Sequence, residues 1–242
     1  MSTEQTPVRI GIFGIDPITN HSLDRHPNLW EAGYAGSLTA SDAVPVELSA
    51  PKGKHTWGDI LEEIDGVVYA GFEHESRYFL QEQMLCRYCR DNKIPILAVD
   101  EGLLAMNIHL GGLNYDNLPR EMPEALQHRH PPEEGIRHAI DVQPDTLLAD
   151  TYGEGEIIVN SEHRRAVQRP ARGFRVCALA LDGVIEAIEW EGNDWFAMGV
   201  QWQPASPTAS GLDIQVFRTL SDKARERVEM LASKPRASAK VA

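Results

Sequence analysis

A buried strand that runs directly into a helix, at residues 93–112, constrains the fold of this chain more than any other feature. Residues 94–99 form a short apolar run, which is typical of a strand buried on both faces of a parallel sheet. The pattern then changes to Asp100-Glu101-Gly102 and to an apolar segment that ends at Gly111-Gly112, which predicts a helix. Such a unit lifts the side chain of Asp100 above the sheet edge, where helix N–H groups favour negative charge.

The same strand, sharp turn and helix form the nucleophile elbow of many hydrolases, in which the raised residue is Ser or Cys. Gly102 is the small residue that would let the backbone bend, so the architecture is present without the nucleophile. Because Asp100 occupies the N-cap position, we expect its side chain to cap the helix, a contribution of about 0.5–2 kcal/mol.

The rest of the chain alternates strand and helix patterns and then changes to a run of strands. Strands are predicted at 8–14, 45–48 and 67–71, helices at 29–40, 57–64, 78–92 and 214–231, an irregular connection at 114–132, and several strands between 137 and 200 with a hairpin turn at Asp182-Gly183. We predict one α/β domain over residues 8–232, with a disordered N-terminus at 1–7 and a disordered tail at 233–242.

Three segments resemble class I glutamine amidotransferases, most closely their gamma-glutamyl-gamma-aminobutyrate hydrolase branch. Residues 95–104, followed by Leu-Gly-Gly at 110–112, resemble the family's Pro-Ile-Leu-Gly-Ile-Cys-Arg-Gly elbow and its helix. Residues 159–163 resemble its Val-Asn-Ser-x-His loop, and residues 199–205 its Gly-Val-Gln-Trp-His-Pro-Glu segment. The resemblance implies a flavodoxin-like fold with a central, mostly parallel sheet flanked by helices and an additional antiparallel strand region.

All three positions of the family's catalytic triad differ in this chain. Asp100 stands in place of the nucleophilic Cys, Gln203 in place of the His and Ala205 in place of the Glu, while Glu101 replaces the neighbouring Arg. Loss of a triad costs about 10⁴–10⁶ in rate, and Gln203 cannot exchange a proton near neutral pH. Attack by Asp100 on an amide would give a mixed anhydride that reverts to substrate, because its carboxylate leaves more readily than an amine. The sequence therefore predicts a catalytically degenerate homologue that binds a small molecule or has a regulatory role.

The resemblance also implies which residues surround the site. The family's oxyanion turn corresponds to Gly71, Phe72 and Glu73, where the carboxylate would oppose a developing negative charge. Ser161, Glu162 and His163 belong to the loop beside the site. We predict that these residues and Glu101 contact the ligand. Asp100 and Glu101 make the pocket more negative than that of the relatives by about two to three charges, which together with Glu73 and Glu162 favours a cationic or amine-bearing ligand.

An alternative is a hydrolase or transferase with a site rebuilt around Asp100 and His163. This alternative requires His163 to lie within hydrogen-bond reach of Asp100. Otherwise His163 is a structural residue of the pocket wall.

No metal or other cofactor is predicted, although three groups of residues have ligand-forming side chains. His21, Asp24 and His26 fit no standard spacing. A second group is His128, His130 and His138 with Glu133 and Glu134, but the family carries comparable histidine segments here, which favours an inherited scaffold. Cys86 and Cys89 have C-x-x-C spacing inside a helix without a second pair, which favours packed or surface thiols.

Composition excludes several classes of partner. A net charge of −13 argues against nucleic acid and anionic membranes, and no stretch approaches the roughly 20 apolar residues of a membrane span. Three cysteines cannot all pair, and the first residues lack the apolar core of a signal peptide, which together favour the cytoplasm. A homodimer, and a separately encoded synthetase partner, remain open.

Overall fold

The computed structural model describes residues 6–14, 33–70, 79–129 and 136–233. Its strands are β1 (Val8–Phe13), β2 (Ala43–Glu47), β3 (Gly66–Tyr69), β4 (Ile96–Val99), β5 (Leu113–Tyr115), β6 (Arg137–Val142), β7 (Gly155–Asn160), β8 (Ala166–Arg169), β9 (Phe174–Ala180), β10 (Ile185–Trp190) and β11 (Ala197–Val200). Its helices are α1 (Tyr34–Thr39), α2 (Trp57–Ile60), α3 (Phe79–Asp91), α4 (Glu101–His109), α5 (Leu118–Glu121), α6 (Leu147–Tyr152) and α7 (Ile214–Ser233).

All eleven strands of the described ranges belong to one mixed sheet with the order β2-β1-β3-β4-β11-β10-β9-β6-β7. The pairs from β2 to β11 are parallel. From β11 onward every pair is antiparallel, and β5 and β8 pair with each other beside β10. The elbow strand β4 therefore lies in the interior of the sheet. Its neighbour β11 is parallel to β4 and antiparallel to β10, so the sheet changes from parallel to antiparallel at β11.

The parallel half is buried because the apolar sides of amphipathic helices cover both of its faces. Every residue of β3, β4 and β11 is buried, which explains why these strands are continuous apolar runs without alternation. One core contains Trp202 with Phe217 of α7. The other contains Trp57 of α2 with Leu85 of α3. The sheet separates these two cores and is held in place by both.

The fold class predicted from the sequence is confirmed, and the antiparallel region is large, with six of the eleven strands. The hairpin between β9 and β10 is also confirmed, with Gly183 at φ +85°. The helix predicted at 214–231 extends to Ser233, the first residue of the predicted tail.

The prediction of an irregular connection at 114–132 is wrong in its first part, where β5 and α5 lie. Asn117 caps α5 by accepting a hydrogen bond from the Arg120 N–H, and a proline stands in its first turn. β5 has three residues, which is too short for a strand pattern to be detected locally, and its partner β8 lies far along the chain. α6 and β8 were also not predicted, and α2 is shorter than the predicted 57–64 helix.

Cys86, Cys89 and Cys177 are buried thiols. Burial raises the pKa of Cys89 to about 12 and raises that of Cys86 well above its ordinary value, so both cysteines of α3 are packed core residues. Within the four described ranges, no helix combines the length and the hydrophobicity needed to cross a bilayer. Two of the sequence predictions concern residues that the structure does not describe. One is that His21, Asp24 and His26 do not form a metal site, and the other is that the terminal segments, up to residue 5 and beyond 233, are disordered.

Candidate functional site

The turn between β4 and α4 has the strained backbone of a nucleophile elbow. Asp100 adopts φ 51° and ψ −114°, a combination that costs a non-glycine residue on the order of 1–3 kcal/mol. Its N–H donates a hydrogen bond of 2.8 Å to the carbonyl of Val200 in β11. The Gly102 N–H donates to the carbonyl of Ala70 at 3.0 Å, and a Cβ at Gly102 would lie 1.9 Å from the carbonyl oxygen of Tyr69. Only glycine therefore fits at residue 102.

The Asp100 side chain does not cap the helix, contrary to the prediction. N-cap residues take extended backbone angles, whereas the positive φ of Asp100 directs its carboxylate elsewhere. Oδ1 accepts a hydrogen bond of 2.9 Å from Gln201 Nε2, and Oδ2 accepts one of 2.9 Å from Gln203 Nε2. The half-buried carboxylate is thus held by two side-chain amides.

Asn160, at the end of β7, positions the segment that carries Gln203. Its Oδ1 accepts the Gln203 N–H at 2.9 Å, and its Nδ2 donates to the Gln203 carbonyl at 3.0 Å and to Ser206 Oγ at 3.0 Å. Ala205, which the resemblance aligns with the family's Glu, is half-buried and packs against the core. Its methyl group has no atom that can form a hydrogen bond.

The loop after β7 has a structural role that the ligand prediction did not include. The Ser161 hydroxyl is buried and donates to the carbonyl of His128 at 2.8 Å. Glu162 is exposed. The Ser161 hydroxyl therefore connects this loop to the segment that carries His128, and its contact with a ligand stays a prediction.

Glu101 forms an ion pair with Arg165, whose Nη1 lies 2.9 Å from Glu101 Oε2. This guanidinium compensates one of the charges that the sequence placed in the pocket. The predicted excess of negative charge is correspondingly smaller, and the sequence did not identify Arg165. Gly71, Phe72 and Glu73, the predicted oxyanion turn, lie outside the described residues.

His163 does not form the hydrogen bond to Asp100 that the rebuilt-enzyme alternative requires. Its Nδ1 lies 2.8 Å from the carbonyl of Arg165, and its Nε2 lies 3.3 Å from Glu186 Oε1. Burial lowers the pKa of His163, but the Glu186 carboxylate, with a smaller contribution from Asp100, raises it above its ordinary value. His163 interacts with Asp100 only at longer range.

His163 belongs instead to a buried group with His128, His138 and Glu186, here named the His₃Glu cluster. One potential ligand atom from each of the four side chains lies within 4.8 Å of all the others. Burial raises the pKa of Glu186, but the imidazoles, His163 first, outweigh burial and lower it to about 2. Glu186 is thus a buried carboxylate in its charged form.

The sequence grouped His128 and His138 with His130, Glu133 and Glu134, which lie outside the described residues, and missed Glu186. A signal was present, since Glu186 is the one charged residue of the otherwise apolar stretch 184–188. The four members come from four separate segments: the loop after α5, β6, the loop after β7, and β10. Only the sheet order brings them together.

Comparison with known families identifies the chain. The profile of the peptidase C26 family matches residues 75–205, which is more than half of the chain and includes the elbow, Asn160 and Gln203. The chain belongs to the peptidase C26 family.

This peptidase C26 member has relatives in several organisms. It is 32% identical to the "Putative glutamine amidotransferase Rv2859c" of Mycobacterium tuberculosis, over 80% of this chain and 67% of that protein. It is 29% identical to "Protein NtpR" of Enterococcus hirae, over 71% of this chain and 79% of that protein.

Solved structures show the same fold for this peptidase C26 member at low sequence identity. A "putative gmp synthase subunit a protein" of Thermoplasma acidophilum superposes with a TM-score of 0.68 at 14% identity, covering 95% of this chain and 100% of that one. The glutaminase domain of Trypanosoma brucei "CTPS" gives a TM-score of 0.62 at 16% identity, covering 89% of this chain and 94% of that one.

Proposed function

We propose that this peptidase C26 member does not hydrolyse amides and that its elbow site binds a small molecule in a regulatory role. The observation that carries this proposal is the direction of the hydrogen bond between Gln203 and Asp100. In triad catalysis the base accepts a proton from the nucleophile and later gives it to the leaving amine. Here Gln203 Nε2 donates to Asp100 Oδ2 at 2.9 Å, and an amide has no proton to exchange near neutral pH.

The environment of His163 supports the same proposal. With one ring nitrogen on a backbone carbonyl and the other facing Glu186, this imidazole does not contact Asp100 as a substitute base. The alternative enzyme function needs Asp100 and His163 as hydrogen-bond partners of each other. Asp100 instead accepts hydrogen bonds from two glutamine side chains, and His163 faces a backbone carbonyl and Glu186.

The charge of Asp100 indicates the class of ligand. Gln201 and Gln203 are neutral, so their hydrogen bonds hold the Asp100 carboxylate in place and add no positive charge of their own. Glu101, in contrast, forms an ion pair with Arg165. A cationic or amine-bearing small molecule is therefore the ligand class that we propose, with Asp100 as its main electrostatic contact.

The partners, the cellular location and the oligomeric state of this protein are also part of the proposal. The net charge of −13 supports a protein that binds neither nucleic acid nor anionic membranes. Three buried, unbridged cysteines support a cytoplasmic location. We further propose that the chain forms a homodimer.

Two assays on the purified protein test the proposal. The first measures hydrolysis of glutamine and gamma-glutamyl amides, where we expect no turnover above the buffer rate. The second measures thermal stabilisation by putrescine, spermidine and basic amino acids, where we expect an increase in the midpoint that Asp100→Asn abolishes.

A charge-matched control is necessary because an acidic protein attracts polyamines nonspecifically. Glu229→Gln removes one negative charge from the exposed end of α7 and should leave the stabilisation unchanged. Turnover that Asp100→Asn eliminates would overturn the proposal, and equal loss of stabilisation in both variants would overturn the assignment of the ligand to the elbow.

A further inference from the structure

We propose that the His₃Glu cluster of His128, His138, His163 and Glu186 binds one divalent transition-metal ion. This site is separate from the elbow chemistry and does not depend on the function proposed above.

The three distances from Glu186 Oε1 to the imidazoles match the ligand spacing of a metal centre better than they match hydrogen bonds, and all four donor atoms lie within 4.8 Å of one another. His128 Nδ1 and His163 Nε2 each lie 3.3 Å from Glu186 Oε1, and His138 Nε2 lies 3.4 Å from it. Hydrogen bonds from an N–H group to an oxygen are usually about 2.7–3.2 Å long, and those to a carboxylate lie at the short end of that range. Four donors arranged tetrahedrally at about 2.0–2.1 Å from a zinc ion, in contrast, lie about 3.3–3.4 Å from one another.

The outer nitrogen of each imidazole faces an oxygen that can only accept a hydrogen bond. His128 Nε2 lies 3.0 Å from Asp182 Oδ2, His138 Nδ1 lies 3.1 Å from the Ala139 carbonyl, and His163 Nδ1 lies 2.8 Å from the Arg165 carbonyl. These outer nitrogens therefore carry the ring protons. In a neutral imidazole the inner nitrogen then presents its lone pair to the centre of the cluster, which is how proteins orient histidine ligands of metals.

The inward atoms lack other partners. His128 Nδ1, His138 Nε2, His163 Nε2 and both Glu186 oxygens are buried and make no hydrogen bond. Three lone pairs and a carboxylate that face each other in the interior repel one another, and each is costly to leave unsatisfied. A proton on His163 would satisfy one of these contacts, but His128 Nδ1 and His138 Nε2 would still face the carboxylate. A single cation at the centre satisfies all of them together.

The donor set indicates the class of metal. Three imidazoles and one carboxylate suit zinc and the neighbouring first-row divalent ions rather than calcium or magnesium, which prefer oxygen ligands. His128, His163 and Glu186 are at most 3% exposed, and the protein itself supplies four ligands. A buried site with four protein ligands is typical of a structural metal rather than a catalytic one.

Such an ion would connect four chain segments close to the elbow. The backbone carbonyl of Glu186 accepts the Gln201 N–H at 2.8 Å, and Gln201 in turn binds Asp100 through its side chain. We therefore expect the metal to stabilise the fold next to the elbow.

The first test is metal analysis of the full chain produced without a histidine tag and dialysed without chelator. Elemental analysis should find about one equivalent of a transition metal per chain. After removal of the metal with a chelator, Zn²⁺ should raise the thermal midpoint by roughly 8–16 °C at about a thousandfold excess over Kd. Co²⁺ should give the intense visible absorption of a four-coordinate ion.

Two variants locate the site. Glu186→Gln and His138→Gln should each reduce bound metal to below about a tenth of an equivalent, with the Co²⁺ band lost. The matched control is His109→Gln, which removes another buried histidine that lies beside a carboxylate, 4.0 Å from Glu82, and should leave metal content unchanged.

The wild-type protein alone can overturn the proposal, so the test does not depend on the folding of the variants. A metal-free wild-type chain with no response to Zn²⁺ or Co²⁺ would show that the cluster is held by protons instead. Unchanged metal content in folded Glu186→Gln, verified by circular dichroism, would place the ion elsewhere and overturn the assignment.

Discussion

Gly102 shows how a single residue preserves the elbow backbone. The carbonyl of Tyr69 occupies the place where a side chain would begin, and the obstacle is backbone. Gly102→Ala should therefore separate β3 from α4 and lower the free energy of unfolding by about 2–4 kcal/mol. Urea denaturation measures this change.

The control for this substitution is a glycine with open space around it. Gly36, in α1, has no neighbouring atom within 4 Å of the place where a Cβ would stand, and its φ is not positive. Gly36→Ala should stabilise the protein by about 0.5–1 kcal/mol, because glycine weakens a helix interior. Equal destabilisation by both substitutions would contradict the role given to the Tyr69 carbonyl.

Asp100 is the second residue with a testable energetic role. Asp100→Asn keeps the shape of the side chain but turns one of its two acceptors into a donor that faces a glutamine amide. We expect a loss of about 1–3 kcal/mol in the free energy of unfolding. A stability equal to that of the wild type would show that the two amide contacts contribute nothing in solution.

At the scale of elements, Glu189 joins β10 to the start of α6. Its carboxylate, which is fully buried, accepts the N–H groups of Leu147 and Leu148 at 3.0 Å each and lies 2.7 Å from Arg175 Nη2. The negative charge is favourable at a helix N-terminus. Glu189→Gln should lower the unfolding free energy by about 1–3 kcal/mol, whereas Glu191→Gln, at an exposed residue nearby, should have no measurable effect.

The β9–β10 hairpin orients one member of the His₃Glu cluster. Asp182 Oδ2 accepts from His128 Nε2 at 3.0 Å and from the Leu126 N–H at 2.6 Å. Asp182→Asn should weaken Zn²⁺ binding by about 10–100-fold, measured by competition with a chelator. An unchanged affinity would show that the loop backbone alone orients His128.

The elements show which parts of the fold could be predicted locally. The elbow, α3, α7 and the β9–β10 hairpin were predicted because their patterns and turns lie within one stretch of sequence. β5 and β8 were missed because each is short and depends on the other for pairing. The His₃Glu cluster was missed for a related reason, since His163 and Glu186 approach His128 and His138 only through the order of the sheet.

At the scale of the whole molecule, the charge balance gives a further prediction. The chain has 36 acidic and 23 basic residues, so the compact state suffers self-repulsion that salt screens. Raising NaCl from about 0.02 to 0.5 M should raise the thermal midpoint by about 2–5 °C. A decrease would mean that ion pairs such as Glu101–Arg165 outweigh the general repulsion.

The resemblance of three segments predicted the fold and the family, whereas the charges around the site required coordinates. Arg165 lies 64 residues from Glu101 in sequence, and no local pattern connects them. The hydrogen bonds of Gln201 and Gln203 to Asp100 likewise span more than 100 residues. The sequence identified which positions had changed, but the new contacts of those positions are properties of the assembled sheet.

The strained backbone at Asp100 has a consequence for the history and the engineering of this chain. The turn is held by backbone hydrogen bonds from Asp100 to Val200 and from Gly102 to Ala70, and neither bond uses the side chain of residue 100. Selection on the side chain can therefore act independently of selection on the backbone. A reactive side chain introduced at residue 100 would already lie above the sheet edge. The remaining design problem would be to change the side chains around it.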